Sequence, residues 1–129
     1  MELITEYFEF INQEINNAKI VYGKDITFRQ IDVNEGYIKG KLFCYAGFSL
    51  HIAEYVTIKD SIYKKEKYRY QVLDSSKKAI VRWDNAPHHS GLANFPFHKH
   101  EIDGSVIPST EISLSEILQE LYKIIDMNT

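Results

Sequence analysis

The chain has 129 residues, of which 44% are hydrophobic and 26% charged, and its formal net charge is −3 at pH 7. This length and composition predict one soluble globular domain, residues 1–129, and they exclude an intrinsically disordered chain. No apolar run approaches the roughly 20 residues of a spanning helix and no basic-then-apolar leader opens the chain, so we expect neither a membrane segment nor a secretory signal.

Cys44 is the chain's one cysteine. A single cysteine excludes an internal disulfide and is typical of a protein from a reducing cytoplasm. Because Cys44 falls in an apolar, strand-like run, we predict that it is a buried structural thiol and not a nucleophile.

The N-terminal region, from Glu2 to about Lys19, has the pattern of an amphipathic helix. Its apolar residues recur at three- and four-residue steps, with acids and amides between them: Ile4, Tyr7, Phe8, Ile11, Ile15 and Ala18. Gly23, Lys24 and Asp25 then predict a loop after the helix.

The middle of the chain predicts about five strands joined by short turns, which indicates an antiparallel meander. The predicted strands are Ile26–Val33, Tyr37–Tyr45, Ser49–Lys59, Tyr63–Leu73 and Ala79–Asn85.

Strict alternation predicts which side chains share a face of the sheet. In the fourth strand, Tyr68 and Tyr70 fall on one side, whereas Lys65, Lys67 and Arg69 fall on the other. We interpret both groups as RNA contacts, because tyrosines stack on single-stranded bases and cations bind phosphates.

Glu54 interrupts an otherwise apolar face of the third strand. We expect it either to meet a cation such as Arg82 or to lie near a sheet edge. A buried, paired carboxylate beside histidines could also orient one of them.

Charge is distributed unevenly along the chain. Residues 1–58 carry a net −3, residues 59–101 a net +4, and residues 102–129 a net −4. The positive middle segment is where a polyanion would be attracted, although its lysines could simply solvate one strand.

Four of the five histidines lie in residues 82–101, within this positive segment. His88 and His89 follow the fifth strand in a stretch rich in proline, glycine and asparagine that predicts a loop. His98 and His100 come next; if they resume extended structure, they point one way and Lys99 the other.

Ser113 and Glu116 form a capping box that begins a C-terminal helix. An apolar stripe follows it: Leu114, Ile117, Leu118, Leu121, Tyr122, Ile124 and Ile125. The predicted fold class is therefore α+β, a meander of about five strands with an N-terminal and a C-terminal helix packed on the sheet.

The histidine-rich segment allows three interpretations, of which the first is metal-independent cleavage of RNA. One histidine would deprotonate the ribose 2′-hydroxyl and another would protonate the leaving 5′ oxygen, while cations stabilise the phosphorane-like transition state. The candidate residues are His88, His89, His98, His100, Arg82, Lys99 and Asp84.

The second interpretation is a zinc or manganese site, with His98 and His100 joined by His88 or His89 and with Asp84 as an oxygen ligand. The spacing matches no standard metal motif, and cysteine ligands are lacking. In the third interpretation the histidines only hydrogen-bond the loop backbone. For His51, alone in a strand, we favour this structural role.

Two stretches together resemble the motif of TumE-like toxins. They are Arg-Trp-Asp-Asn-Ala-Pro-His-His from Arg82 and Phe-Pro-Phe-His-Lys-His from Phe95. The resemblance covers nearly the whole chain, including a Tyr-x-Tyr pair and a closing amphipathic helix. Trp83 stands where the family has tyrosine, and Phe97 stands where it has histidine, so position 97 cannot supply an essential imidazole here.

The resemblance implies the toxin of a prokaryotic toxin–antitoxin pair, acting in the cytoplasm. It also implies a cognate antitoxin, typically a DNA-binding helix-turn-helix protein, and fits a ribonuclease that acts on RNA, with or without the ribosome. The helix–meander–helix layout is similar to that of RelE-type mRNA endonucleases, by analogy of architecture alone. The oligomeric state stays open, a homo-oligomer included.

Overall fold

The computed structural model describes residues 1–87 and 91–128. An antiparallel sheet lies between two helices in the sequence: α1 (Ile4–Asn17) precedes it and α2 (Leu114–Met127) follows it. The strands of the sheet are β1 Val21–Asp32, β2 Glu35–Cys44, β3 Ser49–Lys59, β4 Ile62–Leu73, β5 Ala79–Asp84, β6 His98–Glu101 and β7 Val106–Pro108. Neither helix has the length and apolar character that crossing a membrane would require.

The predicted α+β meander with terminal helices is confirmed, with seven strands in the described residues where about five were expected. The additional strands, β6 and β7, are only four and three residues long, too short for a periodic signal. The loop predicted at Gly23 was wrong: Gly23 pairs with Phe43, and β1 starts at Val21.

Both helices bury their apolar stripes in a single core against one side of the sheet, the covered face. The capping box is confirmed, since Ser113 Oγ accepts a hydrogen bond from the Glu116 amide at 3.1 Å. The strands contribute every second side chain to this core: Ile38, Leu42, Leu50, Ile52, Val56, Tyr70, Val72, Val81 and Trp83. Cys44 is fully buried here, as predicted.

The opposite side of β1–β5, the open face, carries the alternate side chains, and in the described part of the chain neither α1 nor α2 packs on it. Strand register defines its central row, because paired residues in an antiparallel sheet point the same way. That row runs Thr27, Lys39, Ala53, Arg69 and Asp84. Since both helices lie on the covered face, the open face is the surface available to a partner.

A β-bulge in β4 corrects the position predicted for Lys65. Tyr55 pairs with Lys67, but the next residue, Val56, pairs with Lys65, so Glu66 is the extra residue. A bulge reverses the alternation beyond it, and Lys65 therefore enters the core beside Val56 instead of joining Lys67 on the open face. Asn85 stabilises the bulge, accepting from the Tyr68 amide at 2.9 Å and donating to the Glu66 carbonyl at 3.2 Å.

Glu54 lies in the core beneath both helices, at 2% exposure. Its carboxylate accepts hydrogen bonds from the hydroxyls of Tyr7 on α1 and Tyr70 on β4. The ammonium of Lys65 donates to the same Tyr70 oxygen at 2.9 Å and to the carbonyl of Ile112, just before α2. The cation near Glu54 is thus Lys65 and not Arg82, which instead contacts Asp84.

Burial perturbs the ionisation of this network. Desolvation and the Glu54 charge raise the pKa of Tyr7 and Tyr70 well above the usual value, so both remain hydrogen-bond donors. Desolvation lowers the pKa of Lys65, and the nearby Glu54 charge partly opposes that effect. The network connects α1, β3, β4 and the entry to α2.

We expect Glu54→Ala to lower the free energy of unfolding by about 3 kcal/mol or more, because the buried ammonium of Lys65 loses its counter-charge. Urea unfolding followed by circular dichroism measures the change. Glu9→Ala is the control: Glu9 is exposed on α1, and its removal should change stability by no more than about 0.5 kcal/mol. Equal effects of the two substitutions would contradict the role given to Glu54.

We expect the Cys44 thiol of the folded protein to resist a water-soluble disulfide reagent at pH 8. Burial raises its pKa to about 11, and only the thiolate reacts. In urea the same thiol should react at once. The absorbance of the thiolate that the reagent releases measures the rate of both reactions. Rapid labelling of the native protein would show that the β2 core opens easily.

Candidate active site

Pairing of β5 with β6 brings together four side chains that the sequence separates by up to 18 positions. Arg82 pairs with His100 and Asp84 with His98, so all four point to the same side as the open face. We call these four residues the Asp84 cluster. His98 and His100 share a face as expected, with ring centroids 4.9 Å apart.

Asp84 is the buried centre of the cluster. Its Oδ2 accepts from Arg82 Nε at 2.9 Å, and its Oδ1 lies 2.6 Å from His98 Nε2. The amide of Ala86 also donates to Oδ1, at 3.1 Å. A carboxylate held by a guanidinium, an imidazole and a backbone amide has a fixed position, as a site that orients other groups requires.

His98 is fixed on both sides of its ring and is almost completely buried. Nε2 faces the Asp84 carboxylate, and Nδ1 lies 2.8 Å from the carbonyl oxygen of Pro96. These two contacts hold the ring from opposite sides. This geometry suits His98 to fixing the position of Asp84.

His100 is more accessible, with about a quarter of its side chain exposed. Its Nε2 lies 2.7 Å from Arg82 Nη2 and 3.3 Å from Asp84 Oδ2. Arginine can only donate and a carboxylate only accepts, so one nitrogen cannot satisfy both. The shorter contact is the one with Arg82, and an imidazole whose Nε2 accepts in this way is in the form that can act as a base.

Lys99 lies on the other side of β6. Its ammonium stands 5.5 Å from the centre of the Trp83 ring and 3.4 Å from Glu101 Oε1. The charge-stabilising role expected for Lys99 does not fit this placement, because the strand separates it from the cluster.

The tyrosine pair expected to stack on bases is buried, with Tyr68 at 3% and Tyr70 at 0% exposure. Tyr70 belongs to the Glu54 network, and Tyr68 packs against Phe97 with ring centroids 6.5 Å apart. Neither ring can stack on a base, so the two tyrosines are not the RNA contacts that we expected. The same correction applies to Lys65, which is buried in the core. His88 and His89 lie outside the described residues.

Lys67 and Arg69 are exposed on the open face, as expected. They line a cleft of ≈ 880 Å³ that runs from β1 across the sheet to Asp84 and Ala86. Among the described residues, its basic side chains come from four strands: Arg29, Lys39, Lys67, Arg69 and Arg82.

Tyr37 and Tyr55 also line this cleft and stack on each other, with ring centroids 4.8 Å apart. Reasoning from the sequence missed both tyrosines as site residues, together with Arg29 and Lys39. Alternation along consecutive strands could have found them, because their side chains all point to the same face of the sheet.

Residues 9–126 match the protein family described as toxin TumE, which is nearly the whole chain. Searches of curated proteins and of solved structures find no match.

We expect Asp84→Asn to lower the free energy of unfolding by about 2 kcal/mol, the usual worth of hydrogen bonds to a buried charge. Chemical denaturation measures this loss, and nitrogen NMR should report a changed resonance of His98 Nε2, which lies 2.6 Å from Asp84 Oδ1. Asp25→Asn provides the control, because Asp25 is exposed on the open face and should change stability by less than about 0.5 kcal/mol. An unchanged His98 ring would contradict the contact between His98 and Asp84.

Proposed function

This chain belongs to the TumE toxin family and is the toxin of a toxin–antitoxin pair, and we propose that it is a metal-independent endoribonuclease. The observation that carries the proposal is the Asp84 cluster, which combines a partly accessible imidazole, a guanidinium and a buried carboxylate at one end of a basic cleft. These are the groups that cleavage of RNA by its own 2′-hydroxyl requires.

In the proposed reaction, His100 Nε2 takes the proton of the ribose 2′-hydroxyl, and the 2′ oxygen attacks the adjacent phosphorus. The bond from phosphorus to the 5′ oxygen breaks, and that oxygen receives a proton from His88 or His89. The products are a 2′,3′-cyclic phosphate and a 5′-hydroxyl, and no water is consumed. Arg82, which contacts both His100 and Asp84, binds the phosphate and stabilises charge in the transition state.

Asp84 and His98 are positioning residues in this scheme. The carboxylate aligns the Arg82 guanidinium through Nε, and His98 anchors the carboxylate to the backbone at Pro96. Removing either would change the orientation of Arg82 without removing a group that touches the RNA.

A metal-dependent nuclease is the second candidate. Asp84, His98 and His100 each offer a ligand atom within 4.8 Å of the others, and two imidazoles with a carboxylate are a known set for divalent metals. The Arg82 guanidinium argues against it, because it lies 2.9 Å from Asp84 Oδ2 and 2.7 Å from His100 Nε2. A cation bound there would have to displace a cation already in place.

A non-enzymatic protein that binds RNA or another partner through the same surface is the third candidate. The family implies a cognate antitoxin, and we propose that this is a DNA-binding helix-turn-helix protein encoded beside the toxin. We further propose that the toxin acts on cellular RNA in the cytoplasm.

We expect purified protein to cleave labelled RNA in the presence of EDTA and to leave 2′,3′-cyclic phosphate ends. His100→Ala should reduce the cleavage rate by a factor of about 100 or more, which is typical for loss of a general base. Lys99→Ala is the matched control, because its ammonium lies across the strand from the cluster, and it should stay within about threefold of the unchanged protein.

Three results would decide against the proposal. Cleavage that requires metal and leaves 3′-hydroxyl ends would support the metal-dependent alternative. No cleavage by a folded, growth-inhibiting protein would support the non-enzymatic alternative. Equal losses in His100→Ala and Lys99→Ala would place the chemistry outside the Asp84 cluster.

A further inference from the structure

The open face has the composition of a surface that binds single strands of nucleic acid. One of its rows of paired residues runs Arg29, Tyr37, Tyr55 and Lys67. The central row adds Lys39 and Arg69 beside them and ends at Asp84. The row of the two aromatic rings thus has a cation at each end, and the central row beside it leads across the strands to the Asp84 cluster.

Tyr37 and Tyr55 are oriented for a contact outside the protein. Tyr37 is 45% exposed although it belongs to a central strand, and its ring stacks on Tyr55 at an interplanar angle of 26°. The hydroxyl of Tyr55 donates to the carboxylate of Glu35, which fixes the second ring. A rigid aromatic pair in a cationic surround is the usual platform for an unpaired base.

The cations of this face also affect His51, which pairs with Lys41 and Gln71 in the row next to the central one. Burial is the larger cause of its lowered pKa, and the charges of Lys41 and Arg69 lower it further. A histidine disfavoured as a cation by its neighbours indicates that the face attracts anions such as phosphates.

We propose that single-stranded RNA lies across the open face, with a base stacked on Tyr37 and phosphates bound by Lys39 and Arg69, and so enters the Asp84 cluster. This rests on the proposed function and names its substrate class. Strands are spaced by about 4.8 Å, so the path from β1 to β5 spans roughly 19 Å. Sheets of similar width hold two or three stacked bases. A duplex has no unpaired base to offer Tyr37 and binds by charge alone.

The proposal is tested with the full-length protein and a fluorescent 12-nucleotide 2′-O-methyl oligouridine, which lacks the 2′-hydroxyl and cannot be cleaved. Fluorescence anisotropy gives its affinity, together with that of a duplex of equal length. We expect the single strand to bind more tightly than the duplex. Tyr37→Ala should weaken single-strand binding about tenfold and leave duplex binding unchanged.

The charges are tested by the salt dependence of the affinity. The double variant Lys39→Ala with Arg69→Ala should reduce the slope of log K against log salt by about 1.4, since each single-strand phosphate contact contributes about 0.7. The matched controls lie on or beside the helices: Tyr122→Ala for the aromatic ring, and Lys19→Ala with Lys123→Ala for the charges. All three residues are exposed, and their variants should match the unchanged protein.

Three outcomes would overturn the proposal. One is equal binding of duplex and single strand, and another is indifference to Tyr37→Ala. The third is equal affinity for a decaglutamate peptide, which would assign the face to an acidic protein partner. Binding as expected without cleavage of ordinary RNA would instead count against the proposed reaction alone, and cleavage unaffected by the face variants would count against this inference alone.

Discussion

A carboxylate buried beneath two helices is the constraint on which this architecture depends. Glu54 can remain in the core only while Tyr7, Tyr70 and, through Tyr70, Lys65 satisfy it. These partners come from the first helix, the fourth strand and, through the Ile112 carbonyl, the entry to the second helix. Meeting this one requirement places both helices on the same side of the sheet. The other side is left uncovered, and that side carries the candidate chemistry.

The two polar networks differ in their accessibility to solvent. The Glu54 network is closed off by helices, and its large pKa shifts follow from desolvation. The Asp84 cluster is buried at its centre but accessible at Arg82 and His100, so a phosphate can reach the cation while the carboxylate beneath it stays fixed. A rigid centre with an accessible rim is what transition-state stabilisation requires, because donors that are already aligned need no reorganisation during the reaction.

Much of the site could be predicted from the sequence because it lies in regular strands. Alternation alone placed His98 and His100 on one side and Lys99 on the other. Alternation failed at Lys65, where one extra residue, Glu66, reverses the faces. Nothing in the local sequence marks that bulge, because its stabilising partner, Asn85, lies 19 residues further on.

The tyrosines show a second limit of the sequence. Alternation places Tyr68 and Tyr70 opposite Lys67 and Arg69, and Tyr37 on the same side as Lys39, but it does not say how deeply the helices bury the apolar side. Tyr68 and Tyr70 are buried and Tyr37 reaches the cleft. That depth is set by helix packing, which depends on the whole chain.

The meander also sets the order in which the molecule can become active during synthesis. Each strand pairs with its sequence neighbour, so the N-terminal helix and first four strands can associate as they leave the ribosome, since chains fold from the N-terminus during translation. Asp84 meets its histidine partners only after position 100 has emerged. A prematurely terminated chain would therefore lack the assembled Asp84 cluster, and it would also lack the Ile112 carbonyl that accepts from Lys65 in the core.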